Sequence, residues 1–172
     1  MLPLPMTRSD MRALPVLASK ERELTLCVYC PKLCRAACPV SNAEPREALI
    51  PWGKMSTAYF LARGDVPIDE DHAATAWACT GCMACRERCD HHNDVATTLG
   101  TARAALFEKG VAPEAAKKVA ADFPKHVEET ARANRELAAR NAAHVSDAGT
   151  PFVVGCGYAR ELPDEPSSSA AR

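Results

Sequence analysis

The stretch ACTGCMACRERCDHH, residues 78–92, decides the fold, because it places cysteines at 79, 82, 85 and 89. Two residues between successive cysteines form a tight loop. Such a loop wraps three thiolates around three corners of one iron-sulfur cube and directs backbone amides at its sulfides. After three further residues the fourth cysteine lies on an emerging helix, turned away from that cube. The spacing therefore predicts a [4Fe-4S] site and supplies one ligand to a second site.

A second cysteine run, CVYCPKLCRAACP, occupies residues 27–39. It contains one residue more between its second and third cysteines than the run at 79–89. The longer loop either still closes a [4Fe-4S] cube or favours a [3Fe-4S] cluster that lacks one corner. The run at 79–89 has the spacing of bacterial ferredoxins, although Asp90 replaces their usual proline.

In two-cluster ferredoxins the fourth cysteine of each run binds the cluster of the other run. We therefore predict that the ligands cross between the runs and that the chain binds two [4Fe-4S] clusters, the first of which is alternatively [3Fe-4S]. Cluster one takes Cys27, Cys30, Cys34 and Cys89, and cluster two takes Cys79, Cys82, Cys85 and Cys38.

Other interpretations of these residues are weaker. Structural zinc sites usually take two cysteines from each of two separated knuckles, whereas here each run supplies four. His91 and His92 are expected to face solvent or cap a loop rather than bind metal. The remaining histidines, His72, His126 and His144, belong to no motif. Lys32, Arg35, Arg86 and Arg88 either raise the cluster potentials or are ordinary solvated charges. Trp52, Tyr59 and Trp77 either line an electron path or, as we expect, pack around the clusters.

Composition narrows the class of protein. The 172 residues include nine cysteines, few aromatic residues and many alanines, so the core must be small and closely packed. A net charge of -1 with interspersed signs predicts neither nucleic-acid binding nor a basic membrane patch. The early prolines Pro3, Pro5 and Pro15 break any signal-like apolar segment, and no apolar stretch is long enough for direct membrane insertion. We expect a cytoplasmic protein, alone or attached to a membrane complex through partners, in which clustered cysteines bind metal.

The predicted fold class is mostly α, an all-helical dicluster ferredoxin domain with a helical extension and one short terminal strand. Residues 1–24 form a helical lead-in and 25–110 the dicluster domain. Its helices run from about Lys54 to Arg63, with Gly64 as the C-cap, from Asp69, and from Asp94 to Gly110. Residues 111–149 form a helical linker or extension in which Pro124 interrupts the pattern. Residues 150–172 hold a short strand at 150–158 and a disordered tail.

The segments CVYCPKLCRAACPV, PWGKM and ACTGCMACRERCDHHNDV resemble the dicluster ferredoxin domain of a broad family. Its members include the C and D subunits of heterodisulfide reductases and the iron-sulfur subunits of glycolate oxidase and lactate-utilisation systems. The likeness covers about residues 20–110. It implies an all-helical ferredoxin domain, and an electron-transfer partner that carries cysteine-rich CCG-type domains or a flavin.

The sequence contains no CCG motif, so the residues for the family's catalytic chemistry are not present. We expect an electron-relay subunit of an oxidoreductase with no catalytic residue of its own. The alternatives are the front part of a split heterodisulfide reductase-like or 2-hydroxyacid oxidase-like enzyme, and a cluster-based redox sensor or scaffold. The ninth cysteine, Cys156, follows the predicted strand and is interpreted as a vestige, a partner contact or a buried thiol.

Overall fold

The computed structural model describes residues 10–32 and 34–140, and all regular structure in these residues is helical. A 3-10 helix at Pro15–Lys20 leads into α1, and two further 3-10 helices lie at Arg35–Ala37 and Glu47–Leu49. The α-helices are α1 (Glu21–Val28), α2 (Pro39–Ala43), α3 (Pro51–Arg63), α4 (Glu70–Trp77), α5 (Ala84–Glu87), α6 (Val95–Glu108) and α7 (Glu114–Arg140). The mostly α fold class is confirmed. The predicted strand at 150–158, the tail and Cys156 lie outside the described residues.

The chain forms two compact units, Met1–Glu114 and Ala115–Arg172. In the first unit α3 is central and packs against α1, α4 and α6. The four-segment division of the chain stays a prediction. No helix in the described residues has both the length and the apolar character needed to cross a membrane.

Alanines let the helices of the first unit approach closely, as the composition predicted. Ala58 and Ala62 of α3 are buried against the layer formed by Ala73 and Ala76 of α4 and Ala102 of α6. Leucines fill the remaining volume of the same core, namely Leu14, Leu17, Leu24, Leu61, Leu99 and Leu106. Small side chains therefore set the helix separation, and the leucines exclude water from it.

The helix boundaries follow from local capping. Asp69 and Asp94 precede α4 and α6, and each carboxylate accepts a backbone N–H from the first turn, that of His72 at 2.9 Å and that of Thr97 at 3.3 Å. Gly64 ends α3 in the left-handed conformation, with φ at 82°, and its N–H donates to the Phe60 carbonyl at 3.0 Å. The three predicted helices of the first unit are thus confirmed.

In the second unit, α7 is a single helix that continues through Pro124. The sequence predicted an interruption of the helical pattern at Pro124, but the helix runs through this residue without a break. A proline removes one backbone donor from the helix, and the many hydrogen-bonded turns on either side sustain it. Three apolar side chains of this helix are exposed at four-residue intervals, Val119, Phe123 and Val127.

Gly53, in the first turn of α3, lies where two backbone segments approach closely. A Cβ at this position would lie 2.8 Å from Ala48 Cα and would also overlap the Glu47 carbonyl oxygen. Both neighbours are backbone atoms of the preceding 3-10 helix, so they cannot move aside by a side-chain rotation. Glycine is therefore required where α3 meets this segment.

We predict that Gly53→Ala lowers the free energy of unfolding by about 1–3 kcal/mol, because the added methyl group forces the two backbone segments apart. Gly100→Ala is the matched control. Gly100 is exposed in α6, and an added Cβ would meet nothing within 4 Å. Alanine there should raise stability by about 0.5–1 kcal/mol. Thermal unfolding followed by circular dichroism measures both, and equal effects of the two variants would contradict the close-contact interpretation.

Candidate metal centres

The ends of short helices carry the two cysteine runs. The first run begins in the last turn of α1, with Cys27, and ends with Cys38, which directly precedes α2. The second begins just after α4, with Cys79, and ends with Cys89, just after α5. Because helix ends leave backbone groups without helical partners, these segments offer free amides beside the cysteines.

The first cavity has a volume of about 100 Å³ and contains all four cysteines predicted for cluster one. The cysteines that line it are Cys27, Cys30, Cys34, Cys89 and also Cys85. Cys89 thus joins three cysteines of the other run, which is the grouping that the crossed assignment requires. The ligand assignment itself stays a prediction, and this grouping supports it.

The second cavity is smaller, about 20 Å³, and is lined by the four cysteines predicted for cluster two: Cys38, Cys79, Cys82 and Cys85. Cys38 belongs to the first run but lines this second cavity. Cys82 is exposed to solvent. Cys85 and Val95 line both cavities, so the two sites are direct neighbours. Although the run at 79–89 has the more typical spacing, the larger enclosed volume lies at the other site.

The donor chemistry of the cavities bears on what they hold. Both are bordered by cysteine sulfurs, the ligands that iron-sulfur clusters take. Around a single zinc ion, bonds of about 2.3 Å would draw ligand sulfurs to within about 4 Å of each other. In the described residues no three Cys, His, Asp or Glu side chains are arranged to hold a single metal ion. The cysteines surround a volume, as cluster ligands do.

Two buried side chains donate hydrogen bonds to cysteine sulfurs, one in each group. Asn93 Nδ2 donates to Cys27 Sγ at 3.0 Å and to the Glu23 carbonyl at 2.8 Å. Lys54 Nζ lies 3.4 Å from Cys38 Sγ. Hydrogen bonds to sulfur are among the factors that set cluster potentials. Sequence analysis missed both residues.

Sequence signals for these residues were present but weak. Lys54 is the only charged residue between Glu47 and Arg63, within an otherwise apolar and small-residue helix. Such an isolated charge signals a buried partner. Asn93 directly follows the two histidines after Cys89, and no local pattern distinguishes it from an ordinary loop asparagine.

Left-handed residues shape both cysteine loops. Gly81 has φ at 72° and Met83 at 63° in the second run, while Lys32 has φ at 68° in the first. Successive turns of this kind direct neighbouring N–H groups toward one side and form an anion-binding concavity. Lys32 thus takes, in the longer loop, the conformation that a glycine takes in the shorter one.

Backbone amides reach the sulfurs from these loops and from α3. The amide of Ala84 donates to Cys82 and, with the Thr80 side chain, lowers the pKa of that exposed thiol. The amide of Trp52, at the start of α3, donates to Cys34 and partly offsets the rise in its pKa caused by burial. Donors of this kind stabilise a thiolate over a thiol.

Burial makes the thiols unequal in acidity within each group. It raises the pKa of Cys27 to about 12 and that of Cys85 to about 11, and the neighbouring cysteines raise both further. At Cys38 burial also acts to raise the pKa, but it is outweighed by hydrogen bonds from Ser41 and by the charge of Lys54, so the net shift is downward. Cys38 and Cys82 are therefore better prepared to bind metal as thiolates than Cys27.

The basic residues named from the sequence differ in their surroundings. Lys32 and Arg35 both pair with Glu47, Lys32 at 3.7 Å, and Lys32 also lies 4.1 Å above the Trp52 ring. Arg88 lines the first cavity together with Asp90. The first site thus has carboxylates beside its cations, which reduces their net effect.

The described histidines are exposed or paired with a carboxylate, and the aromatic residues named from the sequence pack beside the first cavity or the helical core. His91 and His92 are exposed, and His91 lines the first cavity. His72 Nδ1 lies 2.7 Å from the Asp69 carboxylate, His126 is exposed, and His144 lies outside the described residues. Trp52 lines the first cavity and donates from Nε1 to the Val28 carbonyl at 3.2 Å, while Tyr59 and Trp77 pack against the helical core.

Comparison with known families identifies the class of site. Residues 23–93 match the family model of a 4Fe-4S dicluster domain, from just before Cys27 to just after Cys89. This match supports a dicluster ferredoxin domain that binds 4Fe-4S clusters and has an iron-sulfur electron-transfer role. Comparison with curated proteins and with solved structures gave no significant match.

We predict that, in the metal-free chain near pH 8, iodoacetamide alkylates Cys82 roughly a hundredfold faster than Cys27. The pKa of Cys82 is lowered and that of Cys27 is raised to about 12, and the thiolate is the reactive form. Raising the pH toward about 10 should accelerate alkylation of Cys27 far more than that of Cys82. The thiolate fraction of Cys27 still rises steeply over this pH range, because its pKa lies above it, whereas Cys82, whose pKa is lowered, is already deprotonated to a larger extent. Peptide mass spectrometry measures both rates.

The same chain in denaturant is the control for this comparison, since the two rates should then converge. Equal native rates at Cys27 and Cys82 would show that burial does not hold Cys27 as a thiol.

Proposed function

We propose that this chain is an electron-relay subunit that binds two [4Fe-4S] clusters and passes single electrons to a catalytic partner. The observation that carries the proposal is the pair of adjacent cavities. Each is lined by cysteines from both runs, five around the first and four around the second, and both share Cys85 and Val95. When bound, the clusters supply one-electron redox chemistry, while the protein supplies ligands, spacing and electrostatics.

The chain's own residues support a relay in three ways. The four cysteines predicted for each cluster all line one cavity, so the extra residue before Cys34 has not removed a ligand from the first set. A complete set favours [4Fe-4S] over [3Fe-4S]. Apolar core residues of α1, α3 and α6 exclude water from one side of the sites. The exposed Cys82 brings the second site to the surface, where a partner could accept an electron.

The partner is proposed from the resemblance of the cysteine runs. In heterodisulfide reductase-like and 2-hydroxyacid oxidase-like systems, an all-helical dicluster domain transfers electrons to or from a subunit that carries CCG-type domains or a flavin. We propose a partner of the same kind and a cytoplasmic location, either free or on a membrane complex through that partner. The chain being the front part of a split enzyme is the related alternative, because it would use the same two clusters.

A cluster-based sensor or scaffold is a second candidate function, and one observation favours it. Val119, Phe123 and Val127 recur at four-residue intervals on α7, so they form one exposed apolar stripe. Exposed apolar stripes of this kind bind partner helices or grooves. If oxidation or loss of the clusters changes the affinity for such a partner, the sensor function is favoured, whereas unchanged binding favours the relay.

We predict that the anaerobically reconstituted chain binds about eight iron and eight sulfide, the content of two [4Fe-4S] clusters, and gives a paramagnetic resonance signal after reduction with dithionite. Cys89→Ala should remove the same spectral component as Cys30→Ala. Cys38→Ala should remove the component that Cys82→Ala removes. Each variant should retain about four iron, since one cluster survives.

Cys156→Ala is the matched control, because Cys156 belongs to neither run and should leave both components and the iron content unchanged. Two bound zinc ions without a resonance signal would disprove the relay. The crossed ligand assignment would be disproved if Cys89→Ala removed the spectral component that Cys82→Ala removes.

A further inference from the structure

Lys54 is a buried cation in the core of the first unit. It lies in the first turn of α3 with 1% of its surface exposed, and it is the largest of the fully buried side chains. Burying a charge is costly unless an opposite charge or strong hydrogen bonds compensate it. A lysine in this position therefore requires a partner.

The partners of Lys54 in the protein are neutral carbonyl and sulfur atoms. Its Nζ donates to the Ala78 carbonyl at 2.8 Å and lies 3.4 Å from Cys38 Sγ. Within the described residues, no carboxylate lies within ion-pair distance of it. The side chain also lines the second cavity. The compensating negative charge is thus expected from the ligand side of that cavity, from Cys38 as a thiolate and the anionic group that it binds.

A second cation reinforces the same site. Arg103 of α6 donates from Nε to the Ala76 carbonyl at 2.8 Å, and its guanidinium also bonds to the Cys79 carbonyl. These carbonyls lie at the end of α4, where a helix carries partial negative charge. Arg103 therefore orients the chain at Cys79 and adds positive charge beside the second cysteine group.

Among the described residues, the first cysteine group has no comparable buried charge. Arg88 lines its cavity, but Arg88 is exposed and the carboxylate residue Asp90 lines the same cavity. Its buried side-chain donor is the neutral amide of Asn93, which bonds Cys27, and Asn93 Oδ1 is itself buried without a hydrogen-bond partner. The nearby cations Lys32 and Arg35 share one carboxylate, Glu47, and are partly exposed. Screening by water and by Glu47 weakens their effect on the first site.

We propose that Lys54 makes the second cluster the higher-potential one of the pair, so that an electron passes from the first cluster to the second. Reduction adds one negative charge, and a buried positive charge at hydrogen-bond distance from a ligand sulfur stabilises it more than a neutral amide does. In this step one electron leaves the first cluster, which is oxidised, and enters the second, which is reduced. No bond or proton changes place.

Lys54 acts through Cys38 and is a positioning residue. The inference deepens the proposed relay and rests on it, because it assigns a direction to the two-cluster chain. The electron would leave at the surface beside the exposed Cys82. Solvent exposure is a further factor that sets cluster potentials, and it distinguishes the second site from the first.

The test is a potentiometric titration of the reconstituted full chain, followed by paramagnetic resonance. The step that disappears in Cys82→Ala belongs to the second cluster, and the step that disappears in Cys30→Ala belongs to the first. In the unmodified chain we expect the second cluster to be reduced at the higher potential. The reverse order would overturn the proposal without the use of any Lys54 variant.

Three substitutions then separate charge from hydrogen bonding. Lys54→Met should move the second step to lower potential and leave the first in place. Lys54→Gln retains a donor without the charge and should give an intermediate shift, while Lys54→Arg retains the charge and should restore most of the potential. If Lys54 had only a structural role, all three variants would bind less iron, and none would shift the potential of the second cluster selectively.

Asn93→Ala is the matched control on the other site, and it should shift the first step alone. The proposal is overturned if Lys54→Met leaves both steps unchanged, or if it shifts the step that Cys30→Ala removes. An unmodified chain that binds no iron would instead refute the relay itself, so the two failures are distinguishable. If Lys54→Met fails to bind the second cluster, Lys54→Gln and Lys54→Arg decide the outcome.

Discussion

The close contact between Gly53 and the backbone of Glu47 and Ala48 is the constraint on which both cysteine groups depend. It fixes the first turn of α3, and that turn serves both cysteine groups. Trp52 lines the first cavity and directs its amide at Cys34, while Lys54 lines the second. A small shift of this turn would therefore change hydrogen bonds to both sites at once, although their cysteines come from different segments.

Placing α3 between the sites also explains their unequal electrostatics. The free backbone N–H groups in the first turn of a helix are neutral donors to any ligand they face. A side chain from the same turn, in contrast, reaches only one of the two sites. Trp52 covers the first site with an aromatic ring and Lys54 covers the second with a cation. Two cysteine sets that look nearly equivalent in sequence thus receive different charge environments from neighbouring positions of one helical turn.

The sequence predicted the helices and the cysteine grouping because both depend on short-range patterns. Ligand spacing within a run and capping residues such as Asp69 act over a few positions. The missed contacts join distant segments: Asn93 reaches Cys27 across 66 positions, and Lys54 reaches Cys38 across 16. Tertiary packing brings such pairs together, α6 against α1 for Asn93 and α3 against the start of α2 for Lys54. No local pattern encodes it.

The burial of Lys54 also connects folding with metal binding. Without a bound anion, a cation in the core destabilises the folded chain. Binding a cluster supplies negative charge beside Lys54 and replaces protons on thiols such as Cys27, whose pKa burial has raised to about 12. The features that destabilise the metal-free chain are the ones that stabilise the loaded one. The helical core therefore buries a positive charge at the place where a bound cluster would supply the opposite one.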